Sequence, residues 1–561
     1  MTRNGSIVML TAALAFSGLA APARAQQVPE ARIRELIKQA QDPSSRLQTP
    51  ATSQGTSSTD TRPVVDLTLD DAVKFALDRN LDIAVQRLNP QINDIGYARI
   101  RSVYYPTLTS TISGSGLSQL PTSQLIGGTN VLQDTQTVNG GVAQNVPWGG
   151  GSFSVALNNF RQTSTSNNVL YNPQIQSVWT GVYTQPVLRG FRIDSTRQQL
   201  AVQKINRDIS DVQLRSTITN TLSNVRNAYW DYVFAVQSVD VAAQSVALAS
   251  QLVKDNQTRV EVGTMAPIDV VQAQSQAATQ QQNLVTAQGA MRTAELALKR
   301  LIVGGQQDSN WGVRLNPVDR PDFRPETVDL EAAVRRALSE RTDLDIAKKN
   351  MLGNDVTLKY LRDQLLPQAD FQATYGLAGI GGTQCQRATS GGLGGDCVVV
   401  PGGLSDTFNS LFNNSFPRWT VAMNFSYPLG NSSQEASIAR ARVQLTQVQA
   451  QVHQIELQVA TDVTNAVINV QSGVERVQAS QAAREFAQKT LEAEQSKFEV
   501  GMSTNYNVIL AQRDLATAQS NELQSVLNYR KALVELERVQ STTLSNLNIT
   551  VLSAAGATGG Q

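Results

Sequence analysis

Apolar and polar positions change their spacing in the same order twice along the chain. Residues 68–104 and 329–366 carry apolar side chains at helical intervals, and Pro106 or Pro367 then stops each helix. Beyond each proline, apolar or small residues alternate with polar ones, as at Leu108, Ser110, Ile112 and Gly114 and at Ala369, Phe371, Ala373 and Tyr375. These runs predict strands, each followed by a Gly- and Ser-rich loop and a returning strand that ends in a second proline.

Very long helical stretches follow the returning strands. In the first, apolar residues step by three and four through Ile218, Leu222, Val225 and Tyr229, while the other faces carry Gln, Asn, Ser, Thr and Ala. Such a narrow stripe predicts coiled-coil packing. A continuous helix over 187–262 would be about 110 Å long at about 1.5 Å per residue. That length suits a tube better than a globular domain.

Each long helical stretch is interrupted once by a glycine. The two interruptions are Val262-Gly263-Thr264 and Val500-Gly501-Met502. Glycine favours the left-handed residue that ends many helices, and Pro267 fits the first turn of the helix that follows. We therefore predict two helical hairpins, with their tips at Gly263 and Gly501.

The two halves of the chain match each other at constant offsets. Ala76 and Pro106 match Ala337 and Pro367 at one offset, and Asn227-Ala228 and Val260-Glu261-Val262-Gly263 match Asn465-Ala466 and Phe498-Glu499-Val500-Gly501 at a second. Gln185-Pro186 also corresponds to Tyr427-Pro428. This predicts an internal duplication. The predicted organisation is a signal peptide (1–25), a flexible segment (26–64), a first repeat (65–302), an inter-repeat equatorial segment (303–327), a second repeat (328–541) and a flexible tail (542–561).

Two clear strands in each repeat give four strands per chain. An aqueous barrel needs more than about eight strands, so several chains must share one barrel, and three chains would supply twelve. Residues 138–163 add a predicted hairpin, Val138–Val146 and Ser152–Phe160, that has no counterpart in the second repeat. It could belong to the barrel or lie outside it as a loop.

The amino terminus predicts export. Arg3 precedes the apolar run 7–19, and Ala23-Arg24-Ala25 has small residues at the positions that signal peptidase reads. After residue 25 we expect no apolar stretch long enough for a transmembrane helix. The formal charge of +1 becomes −1 when Arg3 and Arg24 are removed, which argues against a nucleic-acid partner.

The sequence offers little for catalysis or metal binding. It has one histidine, His453, and two cysteines, Cys385 and Cys397, in a Gly-rich segment. In an exported protein a loop disulfide is the natural interpretation of such a pair, with two free thiols as the alternative. We expect no catalytic residues, metal or cofactor, and we do not expect an enzyme.

The duplicated order of helix, proline, strand pair, Gln-Pro junction, long helix and Val-Gly tip resembles the TolC-like outer membrane efflux protein family over roughly 65–541. The resemblance implies an α+β membrane protein: a homotrimer whose strands form a shared twelve-strand barrel above a periplasmic α-helical tunnel of long antiparallel coiled-coil helices. It implies a location in the outer membrane of a Gram-negative bacterium, in contact with its lipid. It also implies docking of the hairpin tips to a periplasmic adaptor protein and an inner-membrane pump.

The same resemblance assigns roles to residues near the tips. Asp269 matches an acidic residue that helps to close the periplasmic aperture in the family. The arginine that often bridges to it is replaced by Ser503, and two acidic positions of the second hairpin are Asn507 and Leu510. We therefore expect a weak cation site and no charge-locked gate. As an alternative, Asp269 is simply an acid favoured at a helix amino terminus.

The predicted function is a subunit of an outer-membrane channel that passively conducts drugs, metals, metabolites or polypeptides in a tripartite efflux or type I secretion system. The chain has no GxxxxGK[ST] phosphate loop, so energy would come from a partner pump. A trimeric coiled-coil envelope spacer or surface adhesin without transport activity is the alternative.

Overall fold

The computed structural model describes residues 62–120, 130–166, 169–320, 322–387, 397–427, 429 and 432–551, without the side chains of Arg387 and Cys397. The predicted signal peptide and most of the predicted flexible segment 26–64 lie outside these residues.

Both repeats run from short helices through strands to a pair of long helices, as the spacing of apolar positions predicts. The first comprises β1 (Val64–Leu67), α1 (Leu69–Arg79), α2 (Leu81–Gln86), α3 (Leu88–Arg101), β2 (Thr107–Gln119), β3 (Val131–Asn145), β4 (Ser152–Ser164), β5 (Tyr171–Pro186), α4 (Ser195–Glu261) and α5 (Pro267–Ile302). After β6 (Arg314–Pro317), the second comprises α6 (Leu330–Glu340), α7 (Thr342–Asp363), β7 (Gln368–Arg387), β8 (Cys397–Val400), α8 (Leu404–Phe412), β9 (Phe416–Ser426), α9 (Ser433–Glu499), α10 (Asn505–Val539) and α11 (Thr543–Asn546).

The large sheet has more strands than the sequence predicts. Its order is β2-β3-β4-β5-β7-β9, all antiparallel, and β8 pairs with the outer end of β7. The four strands that the sequence shows clearly are present, and the hairpin whose place the sequence left open adds two: the described sheet has six long strands and one short one. The additional hairpin predicted within 138–163 is present as β3 and β4, and it lies inside the sheet.

One face of this sheet is apolar. Residues paired in register share a face, and the pairs place these side chains together: Leu108 and Ile112 on β2, Trp179 and Tyr183 on β5, Phe371 and Tyr375 on β7, and Trp419, Val421 and Met423 on β9. The opposite face carries polar residues such as Thr109, Thr180, Thr374 and Thr420. This is the alternation of a barrel wall with lipid on one side and water on the other.

The long helices form two antiparallel pairs. Helices α4 and α9 each contain 67 residues, which corresponds to about 100 Å at about 1.5 Å per residue. Helix α4 packs along α5 and α10, and α9 packs along α10. The buried stripe includes Ile218, Leu222, Val225 and Tyr229, as predicted.

By length and composition alone, helix α4 could cross a membrane, because an 18-residue window within it has a mean hydropathy of 1.3. This differs from the expectation that no such stretch follows residue 25. The stretch belongs to a helix that packs against α5 and α10, and 17% of the window is buried within the single chain.

A core about midway along the long helices contains residues of both repeats, among them Tyr229 and Tyr232 of α4 and Leu527 and Val534 of α10. Strand β6 pairs in parallel with β1, and the Tyr232 hydroxyl donates to the Leu315 carbonyl at 2.5 Å. Burial raises the pKa of Tyr232 to about 12. Lys299 is fully buried; its ammonium group lies 2.8 Å from Glu295 and donates to the Val313 carbonyl at 2.5 Å. The segment 303–327 is thus tied to α4 and α5.

The chain is still packed beyond residue 542, where the sequence predicts a flexible tail. Helix α11 occupies Thr543–Asn546, and Leu544, Leu547 and Ile549 pack against the core that contains Tyr229. Residues 552–561 lie outside the described part of the chain.

Candidate functional site at the hairpin tips

The first tip is a left-handed glycine turn. Helix α4 ends at Glu261, and Gly263 has φ +79°. The Gly263 amide donates to the Val260 carbonyl at 3.0 Å, and the Thr264 amide donates to the Arg259 carbonyl at 2.8 Å. These two bonds form a Schellman motif, which satisfies the last carbonyls of the helix. Pro267 then begins α5, as predicted.

The second tip repeats this geometry. Gly501 has φ +78°, its amide donates to the Phe498 carbonyl at 3.2 Å, and the Met502 amide donates to the Lys497 carbonyl at 2.8 Å. A side chain on either glycine would meet no atom within 4 Å. The left-handed backbone, rather than lack of space, is therefore the reason for glycine at both tips.

Apolar side chains are exposed at both tips. Val262 is 67% exposed, Val500 is 70% exposed and Met502 is 79% exposed. Ile268 and Tyr506, each in the first turn of a returning helix, are exposed as well. Exposed apolar groups clustered at the end of a long helical arm are typical of a surface that binds another protein.

The four predicted aperture residues do not form a charged lock within one chain. Asp269 lies half-buried in the first turn of α5, and no cation of the described residues pairs with it inside the chain. The Ser503 hydroxyl donates to Glu494 at 2.7 Å, and Asn507 Nδ2 donates to Ser503 at 3.3 Å. Leu510 is half-buried on α10. Glu494 also pairs with Lys497 at 2.6 Å; the bonds from Lys497 and Ser503 lower the pKa of its carboxyl.

A set of polar contacts that sequence reasoning missed joins the two hairpins of one chain just above the tips. Asn256 Nδ2 donates to Asn505 Oδ1 at 2.8 Å, and Asn505 Nδ2 donates to the backbone carbonyl of Asp269 at 3.2 Å. Asn256 is 0% exposed and Asn505 is 3% exposed. Arg259 donates to the Phe498 carbonyl at 3.0 Å, and its guanidinium lies 4.3 Å from the Phe498 ring centroid. We call Asn256, Arg259, Phe498 and Asn505 the tip clamp.

The tip clamp adjoins a small apolar core shared by both hairpins. Its buried members include Leu252, Ala273, Leu491, Val508 and Ala511. One sequence signal could have revealed the clamp: Asn256 follows Leu252 by four residues, so a polar side chain lies on the apolar stripe of α4. Most buried polar side chains are hydrogen-bonded, so an asparagine in such a stripe predicts a partner on a neighbouring helix.

The cysteine segment lies at the outer end of the sheet. Cys385 is disulfide-bonded. The register pairs Cys385 with Val399 and Arg387 with Cys397, so the two cysteines lie on adjacent strands. The pairing of Cys385 with Cys397 stays a prediction, because the side chain of Cys397 is outside the described residues.

Metal ligands are not clustered in the parts of the chain that the structure describes: no group of three or more His, Cys, Asp or Glu residues could hold an ion there. His453 is exposed on α9, where its Nδ1 lies 3.0 Å from Glu456.

Comparison with known proteins identifies the family. Residues 152–304 and 333–540 match the outer membrane efflux protein family, so the chain belongs to that family. This confirms the resemblance that the duplicated motifs indicate, and it places the protein in the outer membrane, with a periplasmic helical part. No curated protein matches the chain.

Solved structures share the fold at low sequence identity. The CmeC outer membrane channel of Campylobacter jejuni is 12% identical, with a TM-score of 0.61 over 86% of this chain and 88% of that one. VceC of Vibrio cholerae is 13% identical, with a TM-score of 0.59 over 84% and 95%. The open MtrE channel of Neisseria gonorrhoeae is 15% identical, with a TM-score of 0.57 over 89% and 96%. The predicted fold class, long coiled-coil helices with a sheet, is confirmed.

Proposed function

We propose that three copies of this chain form a channel that passively conducts substrates out of the cell as part of a tripartite efflux or type I secretion system. One observation carries the proposal. A sheet with one apolar face lies at one end of helices about 100 Å long, and exposed apolar tips lie at the other end.

The sheet supports the membrane part of this function. Its apolar face would contact lipid, and its polar face would line a water-filled lumen. Six strands are too few for a barrel of one chain, since known bacterial barrels have at least eight. Closure therefore requires further copies of the chain. A spacer that lies entirely in the periplasm would gain nothing from such a face, which favours the channel over that form of the alternative.

The tips support docking to a periplasmic adaptor, and through it to an inner-membrane pump. Val262, Val500 and Met502 are exposed at the two hairpin ends, where the described residues of the chain leave most of their surface uncovered. Burial of such side chains by a partner contributes about 25 cal/mol per Å² of apolar surface. The pump would supply the energy, and the chain itself would catalyse no reaction.

The entrance is proposed to be held by the tip clamp more than by charge. Asp269 has its carbonyl bound by Asn505, and its carboxylate has no cation among the described residues of its own chain. The neutral Asn507 and Leu510 add no acidic ring for cations. We therefore expect little selectivity for divalent cations at this aperture.

Conductance in planar bilayers tests the proposed function. Purified full-length trimers should insert and conduct ions, and a peptide or adaptor fragment that covers the tips should reduce the current from the periplasmic side only. Stable trimers that never conduct would contradict the channel and favour the spacer.

A further inference from the structure

We infer that each chain contributes six strands to the barrel wall, so that three chains close an eighteen-stranded barrel. This inference rests on the trimer proposed above, and it concerns the hairpin β3–β4. Three observations carry it: the position of the hairpin in the sheet, its pattern of apolar residues and the location of its turn.

The hairpin lies between strands of the sheet, not at its margin. Strand β3 pairs with the whole of β2, from Thr107–Ala143 to Gln119–Val131. Strand β4 pairs with β5 from Ser152–Thr184 to Gln162–Gln174. Removing the hairpin from the sheet would break every pairing that β2 makes in the described sheet, because β3 is the only strand that pairs with β2 there.

The hairpin also has the alternation of a membrane wall. The register places Val138 and Val142 of β3, and Phe153, Val155 and Leu157 of β4, on the same face as Trp179 and Tyr183. Thr135, Thr137 and Asn139 of β3 and Ser154 and Asn158 of β4 lie on the polar face. The apolar stretch covers the part of the hairpin nearer its turn, and Asn159 and Arg161 lie on the same face beyond it. A hairpin in water on the outside of a barrel would gain nothing from that apolar stretch.

The turn of the hairpin is anchored on the helical side. Residues 146–151 connect β3 to β4, with Gly149 at φ +68° and Gly150 at φ +70°. Gln185 Nε2 donates to the Gly149 carbonyl at 2.7 Å, and Gln144 Nε2 donates to the Tyr104 carbonyl at 3.0 Å. The turn therefore sits where β5 and the segment after α3 meet the helices. Short turns on the periplasmic side are a property of outer-membrane barrels.

The partner for the sheet edges is a second copy of this chain. In the described sheet, β2 and β9 each have one unpaired edge. They run in opposite directions relative to the helices, so β2 of one copy can pair antiparallel with β9 of the next. Leu108 and Ile112 would then continue the apolar face of Val421 and Met423 across the interface.

Six strands per chain change the size of the pore. With strands about 4.8 Å apart and tilted by about 40°, eighteen strands give a backbone diameter of about 36 Å, whereas twelve strands give about 24 Å. The area enclosed by the backbone of the eighteen-stranded barrel would be about 2.25 times that of a twelve-stranded barrel with the same strand spacing and tilt. The periplasmic entrance, and not the barrel, would then limit the size of the substrate.

Electron cryomicroscopy of the purified full-length protein in lipid nanodiscs tests the inference. The map should show three chains and eighteen strands, with a backbone diameter of about 36 Å. Twelve strands with the β3–β4 hairpin outside the wall would overturn it, and so would a dimer that closes twelve strands. A conducting trimer with twelve strands would refute only this inference, whereas a trimer that never conducts would refute the proposed function.

Deletion of residues 131–164 provides a second measurement. The deletion removes β3, its turn and β4. The loop after β2 is then joined directly to the loop before β5, so β2 and β5 become neighbours that run antiparallel. The variant barrel should narrow to about two thirds of the original diameter. An unchanged diameter would show that the hairpin was never in the wall. If the variant does not fold, the strand count of the full-length protein still decides the question.

Discussion

Replacing Asn505 with alanine tests whether the tip clamp holds the two hairpins together. The substitution removes the bond to Asn256 and the bond to the Asp269 carbonyl. It also leaves the fully buried Asn256 amide without this partner. Leaving a buried polar group unsatisfied costs about 1–3 kcal/mol. A loss of about 2 kcal/mol shifts an equilibrium between joined and separated hairpins by roughly 30-fold.

The assay is the open probability of single channels in planar bilayers. Asn505→Ala should open far more often than the original protein, and Arg259→Ala should do so to a smaller extent. Loss of the Arg259 contact to the Phe498 ring costs about 0.5–1 kcal/mol where the site is partly exposed. Both variants should still form trimers, because the core between sheet and tips is untouched.

Asn507→Ala is the matched control. Asn507 lies two residues from Asn505 on the same helix, but it is exposed and bonds only to Ser503 in the described chain. Its removal should leave the open probability unchanged. Equal opening by Asn505→Ala and Asn507→Ala, or no effect of Asn505→Ala in a stable trimer, would refute the role of the clamp.

Three further substitutions probe other parts of the account. Asp269→Ala should change conductance only slightly, because its carboxylate has no cation in its own chain; a large constitutive opening in bilayers would mean that it does hold the gate. Gly501→Val should weaken adaptor capture in pull-down assays while trimers persist on native gels, since a left-handed backbone costs a residue with a Cβ about 1–2 kcal/mol; loss of the trimer would contradict a docking role. Lys299→Met should destabilise the protein by up to about 3–5 kcal/mol in thermal melts, because the buried Glu295 carboxylate then keeps only the Leu315 amide at 3.2 Å and Arg62 at 4.0 Å; a double variant with Glu295→Gln should recover most of the loss.

Features with local signals were predictable from the sequence. Glycine and proline mark the tips at Gly263, Gly501 and Pro267, and the apolar stripe of α4 is readable from spacing alone. The duplication follows from offsets that need no structure. Each of these depends on residues close together in the chain, where conformational preference and periodicity dominate.

Features that depend on distant pairing were not predictable. The tip clamp joins Asn256 to Asn505, and β1 pairs with β6, each across roughly half the chain. The β3–β4 hairpin was visible as a pattern, but its place inside the sheet depends on the register with β2 and β5. Alternation shows that a strand has two different faces; it does not show which strands are its neighbours.

Single-channel recording of purified full-length trimers in a planar bilayer tests whether this protein forms a channel whose entrance the tip clamp holds. We predict ion-conducting channels, with rare openings in the original protein and frequent openings in Asn505→Ala. Well-formed trimers that conduct no ions, both as the original protein and as Asn505→Ala, would contradict it.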